Sequence, residues 1–230
     1  MREVSAEAGV FFDFDGVLID TENIYYRTFN DVLEEIGKGP LREEQYASVI
    51  GHSIDYTWDY ISNLYNIGDI INDCRFLYTQ KLVTRLEQEL ILRDDAEIIL
   101  HNLRELDIPS VLVTSSTQQW TNMKLKLVGL GDYFRAVVTA DDVIDPKPAP
   151  DMYKLAAVKG NLSRDLSIAI EDSYPGVESS KRAGIYTIGL KNSLAPNMIL
   201  DNADQVVERL TEIDFAAAVK NLPLAGMITI

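Results

Sequence analysis

Val10-Phe11-Phe12-Asp13-Phe14-Asp15-Gly16-Val17-Leu18-Ile19-Asp20-Thr21-Glu22 is the stretch on which the reading of this chain turns. An apolar run drives into a carboxylate, a second carboxylate follows two residues later, and a glycine comes next. Residues i and i+2 of a strand share a face. A strand over 10–15 therefore predicts Asp13 and Asp15 leaving a buried strand end pointing the same way. Two carboxylates that close repel unless a cation or a proton sits between them. The pattern asks for a metal, or for a division into ionised and protonated acid.

Outward from that stretch the pattern is helical. Thr21 opens a helix with Ile24, Phe29, Val32, Leu33 and Ile36 on one face and Gly37 as its stop. Residues 41–50 read as a short second helix. Ser53 N-caps a third that carries Ile54, Trp58, Ile61 and Leu64, and Asp69 caps a fourth that runs toward Leu90. No strand signal interrupts 21–90, which also holds seven of the eleven tyrosines. This segment reads as a four-helix cap inserted into a core made of 1–20 and 91–230. The aromatic stripe Tyr56, Trp58, Tyr60 and Tyr65 reads as bundle core and surface.

Beyond residue 92 helices and strands alternate. Asp94 caps a helix, Ser110 to Val113 form a strand that ends in Thr114-Ser115-Ser116-Thr117, and a helix carrying Trp120 and Met123 stops at Gly131. Strands are expected over 136–139, 166–170 and 185–190, with a further one at Val206-Val207. Helices start at Pro150 and at Pro175-Gly176. Thr114 and Ser115 are expected to cap the helix that follows them. Strands alternating with helices mean βαβ units: an α/β fold with a Rossmann-like, doubly wound parallel sheet. The apolar tail after Pro223 is expected to dock on the core.

Composition narrows the partners. The chain has 230 residues and a net charge of −15, which disfavours nucleic acid and anionic membranes. A single cysteine, Cys74, excludes a disulfide framework and a cysteine-rich zinc site, and reads as a small buried hydrophobe. No apolar run reaches the length of a membrane span, and the first residues do not resemble a signal peptide, so a cytoplasmic protein is expected. A monomer or weak homo-oligomer is expected. His101 reads as a surface helix residue.

In parallel α/β sheets, sites form at the carboxyl ends of the strands. Here those ends carry Asp13 and Asp15, Thr114 and Ser115, and Glu171 and Asp172, with Lys147 on the proline-rich loop after the third strand. Each has a bland reading alone: a cap, a solvated turn, a surface lysine. At consecutive ends of one sheet they do not read as accident. Four carboxylates against one lysine imply a hard divalent cation with oxygen ligands, Mg²⁺. Hydroxyls, a lysine and Mg²⁺ together suit a phosphoryl group.

Asp13-Phe14-Asp15-Gly16-Val17-Leu18, Thr114-Ser115, Lys147-Pro148 and Glu171-Asp172-Ser173-x-x-Gly176 closely resemble the four motifs of the haloacid dehalogenase-like hydrolases, in order, over about residues 9 to 190. The helical insert resembles that family's small cap, and the pattern falls near its β-phosphoglucomutase-like and sugar-phosphatase branch. The resemblance implies Mg²⁺-dependent hydrolysis of a small phosphorylated metabolite. Asp13 is then the nucleophile that forms an aspartyl-phosphate, and Asp15 the acid and later the base. Thr114, Ser115 and Lys147 hold phosphoryl oxygens. Asp13, the Asp15 backbone carbonyl, Glu171 and Asp172 form the Mg²⁺ site.

Asp15 separates the chain from the dehalogenase branch, which lacks an acid there, and from the ion-pumping branch, which has threonine. The phosphonatase branch needs a cap lysine at the site, and the insert offers only Lys38 and Lys81, neither in the break at 51–53. A β-phosphoglucomutase-type phosphomutase is the alternative. Its cap loop resembles Gly-x-Ser-Arg, where this chain has Gly51-His52-Ser53-Ile54, and it carries a histidine where this chain has Tyr25. Tyr25, His52 and Ile54 are the candidates for contact with the leaving group, although His52 reads first as a loop residue with no catalytic role. A non-catalytic phosphate-binding regulatory module would show a damaged motif set, and none of the expected positions is missing.

Overall fold

The computed structural model describes residues 6–192, 195, 198, 200–215 and 217. Six parallel strands form one sheet in the order β3-β2-β1-β4-β5-β6. They are β1 (Val10–Phe12), β2 (Ser110–Val113), β3 (Ala136–Val138), β4 (Ile168–Glu171), β5 (Tyr186–Leu190) and β6 (Gln205–Val207). β1 is central: Phe12 lies in register with Leu112 on one side and Ile170 on the other. Its three side chains are fully buried, and their alternation assigns the layers. Val10 and Phe12 join one apolar cluster with Ala96, Ile99 and Leu103 of α5 (Asp94–Glu105). Phe11 joins another with Met152, Tyr153 and Ala156 of α7 (Asp151–Gly160). Helices thus cover both faces, and the continuous apolar runs of β1, β2 and β4 are the mark of strands buried on both sides. The expected Rossmann-like α/β core is present.

The segment between β1 and α5 is wholly helical: α1 (Glu22–Glu35), α2 (Glu43–Ala47), α3 (Ile54–Tyr65) and α4 (Ile71–Glu89). These helices gather around an apolar cluster of their own. At its centre Phe29 stacks on Tyr78 with ring centroids 4.3 Å apart, and Trp58 meets both edge-on at 5.1 and 5.4 Å. Cys74 is buried in the same cluster. Trp120 and Met123 of α6 (Gln118–Leu127) pack against it from the sheet side. Ile19 and Leu92, where the chain leaves and re-enters the sheet region, form an antiparallel bridge. Tyr56 is exposed and Trp58 buried, as read from the stripe, and His101 is exposed.

Several boundaries differ from the pattern. β1 ends at Phe12 rather than at Asp15. The Asp13 N–H still reaches Ile170 O at 3.0 Å, but the chain then turns, with Phe14 O accepting from the N–H groups of Leu18 and Ile19. Gly16 makes the turn at φ +84°, a conformation that any side chain would strain. The second helix starts only at Glu43: the backbone of Arg42 is extended at ψ 152°, and its N–H donates to Gln45 Oε1 at 3.0 Å. Asp69 lies in a 3₁₀ turn, Gly68–Ile70, that precedes α4. Ser53 does cap α3, accepting from Tyr56 N. Thr117, not Thr114 or Ser115, occupies the cap position of α6. Helix α8 spans Tyr174–Arg182. The tail after Pro223 lies outside the described residues.

Truncating the ring at the centre of the helical cluster leaves a cavity that the neighbouring rings cannot fill. Phe29→Ala should lower the unfolding free energy by about 3–5 kcal/mol in urea titrations. A loss below about 1 kcal/mol would show that this cluster does not hold the helices together.

Candidate active site

Three strand ends meet above β1. The Lys147 ammonium reaches Asp13 Oδ1 at 2.6 Å, Val113 O at 2.8 Å and Glu171 Oε1 at 2.7 Å. It therefore ties β1, β2 and β4 together, and it is almost fully buried. The Tyr153 hydroxyl also donates to Glu171 Oε1. Glu171 Oε2 is buried and has no hydrogen-bond partner. Asp172 Oδ2 accepts from Asn192 Nδ2 at 2.7 Å. Asp13, Glu171 and Asp172 each offer a carboxylate oxygen within 4.8 Å of the others. Glycines make room for this crowding: a Cβ on Gly16 would sit 2.0 Å from Asp172 Oδ2, and one on Gly176 1.8 Å from Glu171 Oε2.

The charges are strained without a cation. Burial pushes the Asp13 carboxyl up to about 8, against the pull of Lys147, and Glu171 and Asp15 add to the rise. Burial likewise holds Asp172 well above the usual carboxylate range, with Asp13 and Glu22 nearby. Lys147 is buried as well, but Asp13 and Glu171 keep its ammonium well above its ordinary value. A buried carboxylate oxygen without a donor, inside a cluster of three acids, fits a hard divalent cation such as Mg²⁺.

Asp15 is placed differently from the expectation. Its carboxylate does not stand beside that of Asp13 in the three-acid cluster but turns to a second buried lysine. Lys124 Nζ meets both oxygens at 2.6 and 2.5 Å. Thr21 Oγ1, Tyr25 OH and Ser116 Oγ donate to the same carboxylate at 2.7, 2.9 and 2.9 Å. Burial opposes ionisation, but Lys124 and these hydrogen bonds outweigh it and hold Asp15 below its ordinary value. Burial thus raises the Asp13 carboxyl, whereas the surroundings of Asp15 favour its ionised form. The charge count changes too, since Lys124 adds a second cation that the sequence reading did not find. In the run Met123-Lys124-Leu125-Lys126 nothing distinguishes it from the solvated face of a helix end. Ser116 lies within the hydroxyl run Thr114-Ser115-Ser116-Thr117, whose sequence does not mark which hydroxyl faces Asp15.

A cavity of about 430 Å³ opens between the strand ends and the helical segment. Asp13, Lys147 and Asp172 line its floor, and Tyr25, His52 and Ile54 line it from the helices. Ser115 reaches the wall. Thr114 is not among the lining residues; it is buried, and its Oγ1 accepts from Ser116 N at 3.1 Å. His52 stacks on Tyr56 with centroids 4.2 Å apart. Glu22, in the first turn of α1, also lines the cavity although it is buried; burial raises its carboxyl to about 7. Its place at a helix start made it look like an ordinary first-turn acid.

Residues 10–190 match the family described as haloacid dehalogenase-like hydrolase. The chain belongs to that family. YhcW of Bacillus subtilis (strain 168), which carries a phosphatase name, is 31% identical over 93% of this chain and 96% of its own length. The phosphorylated carbohydrates phosphatase of Thermotoga maritima is 29% identical over 86% of this chain and 91% of its own. The crystal structure of CbbY from Rhodobacter sphaeroides in complex with phosphate superposes with a TM-score of 0.79 at 21% identity, covering 93% of this chain and 99% of that one. The chain is a phosphatase of this family, as its motifs led one to expect. No helix among the described residues is long and apolar enough to cross a membrane.

The raised Asp13 carboxyl has a sign that can be checked. An unfolded chain releases that proton near its ordinary value of 3.8, whereas the metal-free native state holds it to about 8. Between those values the native state binds the extra proton, so stability falls as pH rises through the window. In EDTA, urea midpoints of the wild type should fall from pH 4 to 8 more steeply than those of Asp13→Asn, which cannot ionise. Parallel slopes would show that Asp13 is not the strained group.

Proposed function

We propose that this chain hydrolyses a small phosphomonoester, a sugar phosphate or similar metabolite, through an aspartyl-phosphate on Asp13 with Mg²⁺ as cofactor. The observation that carries the reading is the buried Asp13–Lys147–Glu171 contact at the cavity floor beside Asp172, with Glu171 Oε2 left without a donor. Asp13, Glu171 and Asp172, with the backbone carbonyl of Asp15, are the proposed holders of Mg²⁺. When bound, the ion supplies positive charge that keeps Asp13 ionised and neutralises phosphoryl oxygens.

The chain's own residues perform the rest. Asp13 attacks phosphorus in line, and the bond to the leaving alkoxide breaks as Asp15 gives that oxygen a proton. Asp15 then takes a proton from water, whose oxygen attacks the phosphorus and frees Asp13 and inorganic phosphate. Lys147 and Ser115 face the transferring group, with Thr114 behind them. An unscreened like charge at 4 Å costs about 4 kcal/mol at an effective dielectric near 20, so the anionic nucleophile depends on such cations. Lys124 holds Asp15 in its ionised form, the one suited to the water step. Thr21 and Tyr25 clamp the same carboxylate from the helical side. Residues 21–90 act in this account as a cap, with hinges at 19–21 and 90–93 where Ile19 and Leu92 bridge. Its movement withdraws the Thr21 and Tyr25 hydrogen bonds that favour the ionised form, and Asp15 takes up from solvent the proton that it gives to the leaving oxygen.

Two features support hydrolysis over phosphomutation. Ile54 stands in the cavity where a mutase of the related branch would place an arginine, and Tyr25 stands where it would place a histidine. A regulatory module without turnover is disfavoured by the complete set of acids and the lysine around one cavity.

Asp13→Asn should abolish phosphate release from p-nitrophenyl phosphate while circular dichroism remains native. EDTA should lower wild-type turnover at least about a hundredfold, and added Mg²⁺ should restore it. Comparable turnover in the variant would remove Asp13 as nucleophile, and activity indifferent to chelation would remove the metal.

A further inference from the structure

The mechanism above leaves one buried acid of the cavity unused. Glu22 is only 7% exposed. Tyr46 OH donates to its Oε2 at 2.7 Å, and among the described residues nothing bonds Oε1. Glu22 lines the cavity, so this oxygen is open to it and can accept a hydrogen bond from a ligand hydroxyl. The cavity wall holds little to attract a second anion. Among the described residues that line it, the cations are Lys147, engaged by Asp13 and Glu171, and Arg75, engaged by Asp55. Glu22 itself is within electrostatic reach of Asp15 and Asp172. The part of the substrate beyond the phosphorus therefore meets a hydrogen-bond acceptor that is negatively charged above about pH 7, set among aromatic rings.

We propose that Glu22 selects the leaving group. Its Oε1 accepts a hydrogen bond from a hydroxyl of an uncharged, polyhydroxylated alcohol, and its charge turns away esters whose leaving group is itself anionic. Tyr46 fixes the orientation of the carboxylate from α2. The assignment rests on the phosphatase reading and sharpens it: the substrate is the monophosphate of a neutral sugar or polyol, not a bisphosphate, a pyrophosphate or a phosphorylated carboxylic acid.

Glu22→Gln tests this, because the amide keeps the shape and the Tyr46 hydrogen bond while removing the charge. Wild type and variant are assayed with Mg²⁺ on a panel of hexose, pentose and glycerol monophosphates, on phosphoglycolate and pyrophosphate, and on p-nitrophenyl phosphate as the common reference. Ratios of kcat/KM within one preparation do not depend on the fraction folded. The wild type should prefer a neutral polyol phosphate. In the variant the ratio of that substrate to the reference should fall about tenfold, mainly through KM, and the ratio of phosphoglycolate to the reference should rise. Tyr46→Phe, which frees the carboxylate to turn, should shift the first ratio in the same direction. Equal loss on every substrate, unchanged ratios, or a wild type that prefers phosphoglycolate or pyrophosphate would overturn the assignment while leaving the phosphatase reading intact. A wild type that releases phosphate from no substrate would overturn both.

Discussion

A lysine ammonium held between two buried carboxylates is the contact on which the rest of this structure depends. Lys147 sits 2.6 Å from Asp13 and 2.7 Å from Glu171, while its third bond goes to the end of β2. Burying even one unpaired charge is expensive, and burying three acids around one ammonium is tolerable only if protons or a further cation complete the balance. The raised carboxyls of Asp13 and Asp172 are the proton solution. The unsatisfied oxygen of Glu171 is the mark of the cation solution. The proposed mechanism needs the second, because an attacking carboxylate must be ionised.

The second charge pair gives the site its asymmetry. Lys124 holds Asp15 as a carboxylate, and the hydroxyls of Thr21 and Tyr25 bind the same group from the helical segment. The hold on this carboxylate is therefore shared between Lys124 of α6 and the helical segment. Sheet and helices meet at this point, and the same cavity carries Glu22, whose bare oxygen faces the part of the substrate that the family's common chemistry leaves unspecified. In the proposed mechanism core residues carry the reaction, and Glu22 of α1 carries the choice of alcohol.

Much of this was legible in the residues. The apolar runs of β1, β2 and β4 announced doubly buried strands, and the placement of Asp13, Ser115, Lys147, Glu171 and Asp172 at one edge followed from the rule for parallel sheets. Ser53 as a helix cap and Tyr25, His52 and Ile54 as cavity residues were also readable. What escaped had physical causes. The alternation that aligned Asp13 with Asp15 assumed a strand through residue 15, whereas Gly16 and the Phe14 carbonyl turn the chain after Asp13. Lys124 looks like any lysine near a helix end, because burial on α6 is set by packing against a distant segment. Glu22 looks like a favourable first-turn acid, because only the tertiary fold shows that Tyr46 takes one oxygen and nothing takes the other.

We propose that the three carboxylates at the ends of β1 and β4 take up a cation and exchange a proton for it. Calorimetric Mg²⁺ titration near pH 7, repeated in buffers of different ionisation enthalpy, measures the protons released on binding. Release of about one proton per ion is expected in the wild type and clearly less in Asp13→Asn. Binding without proton release, or equal release in both proteins, would contradict it.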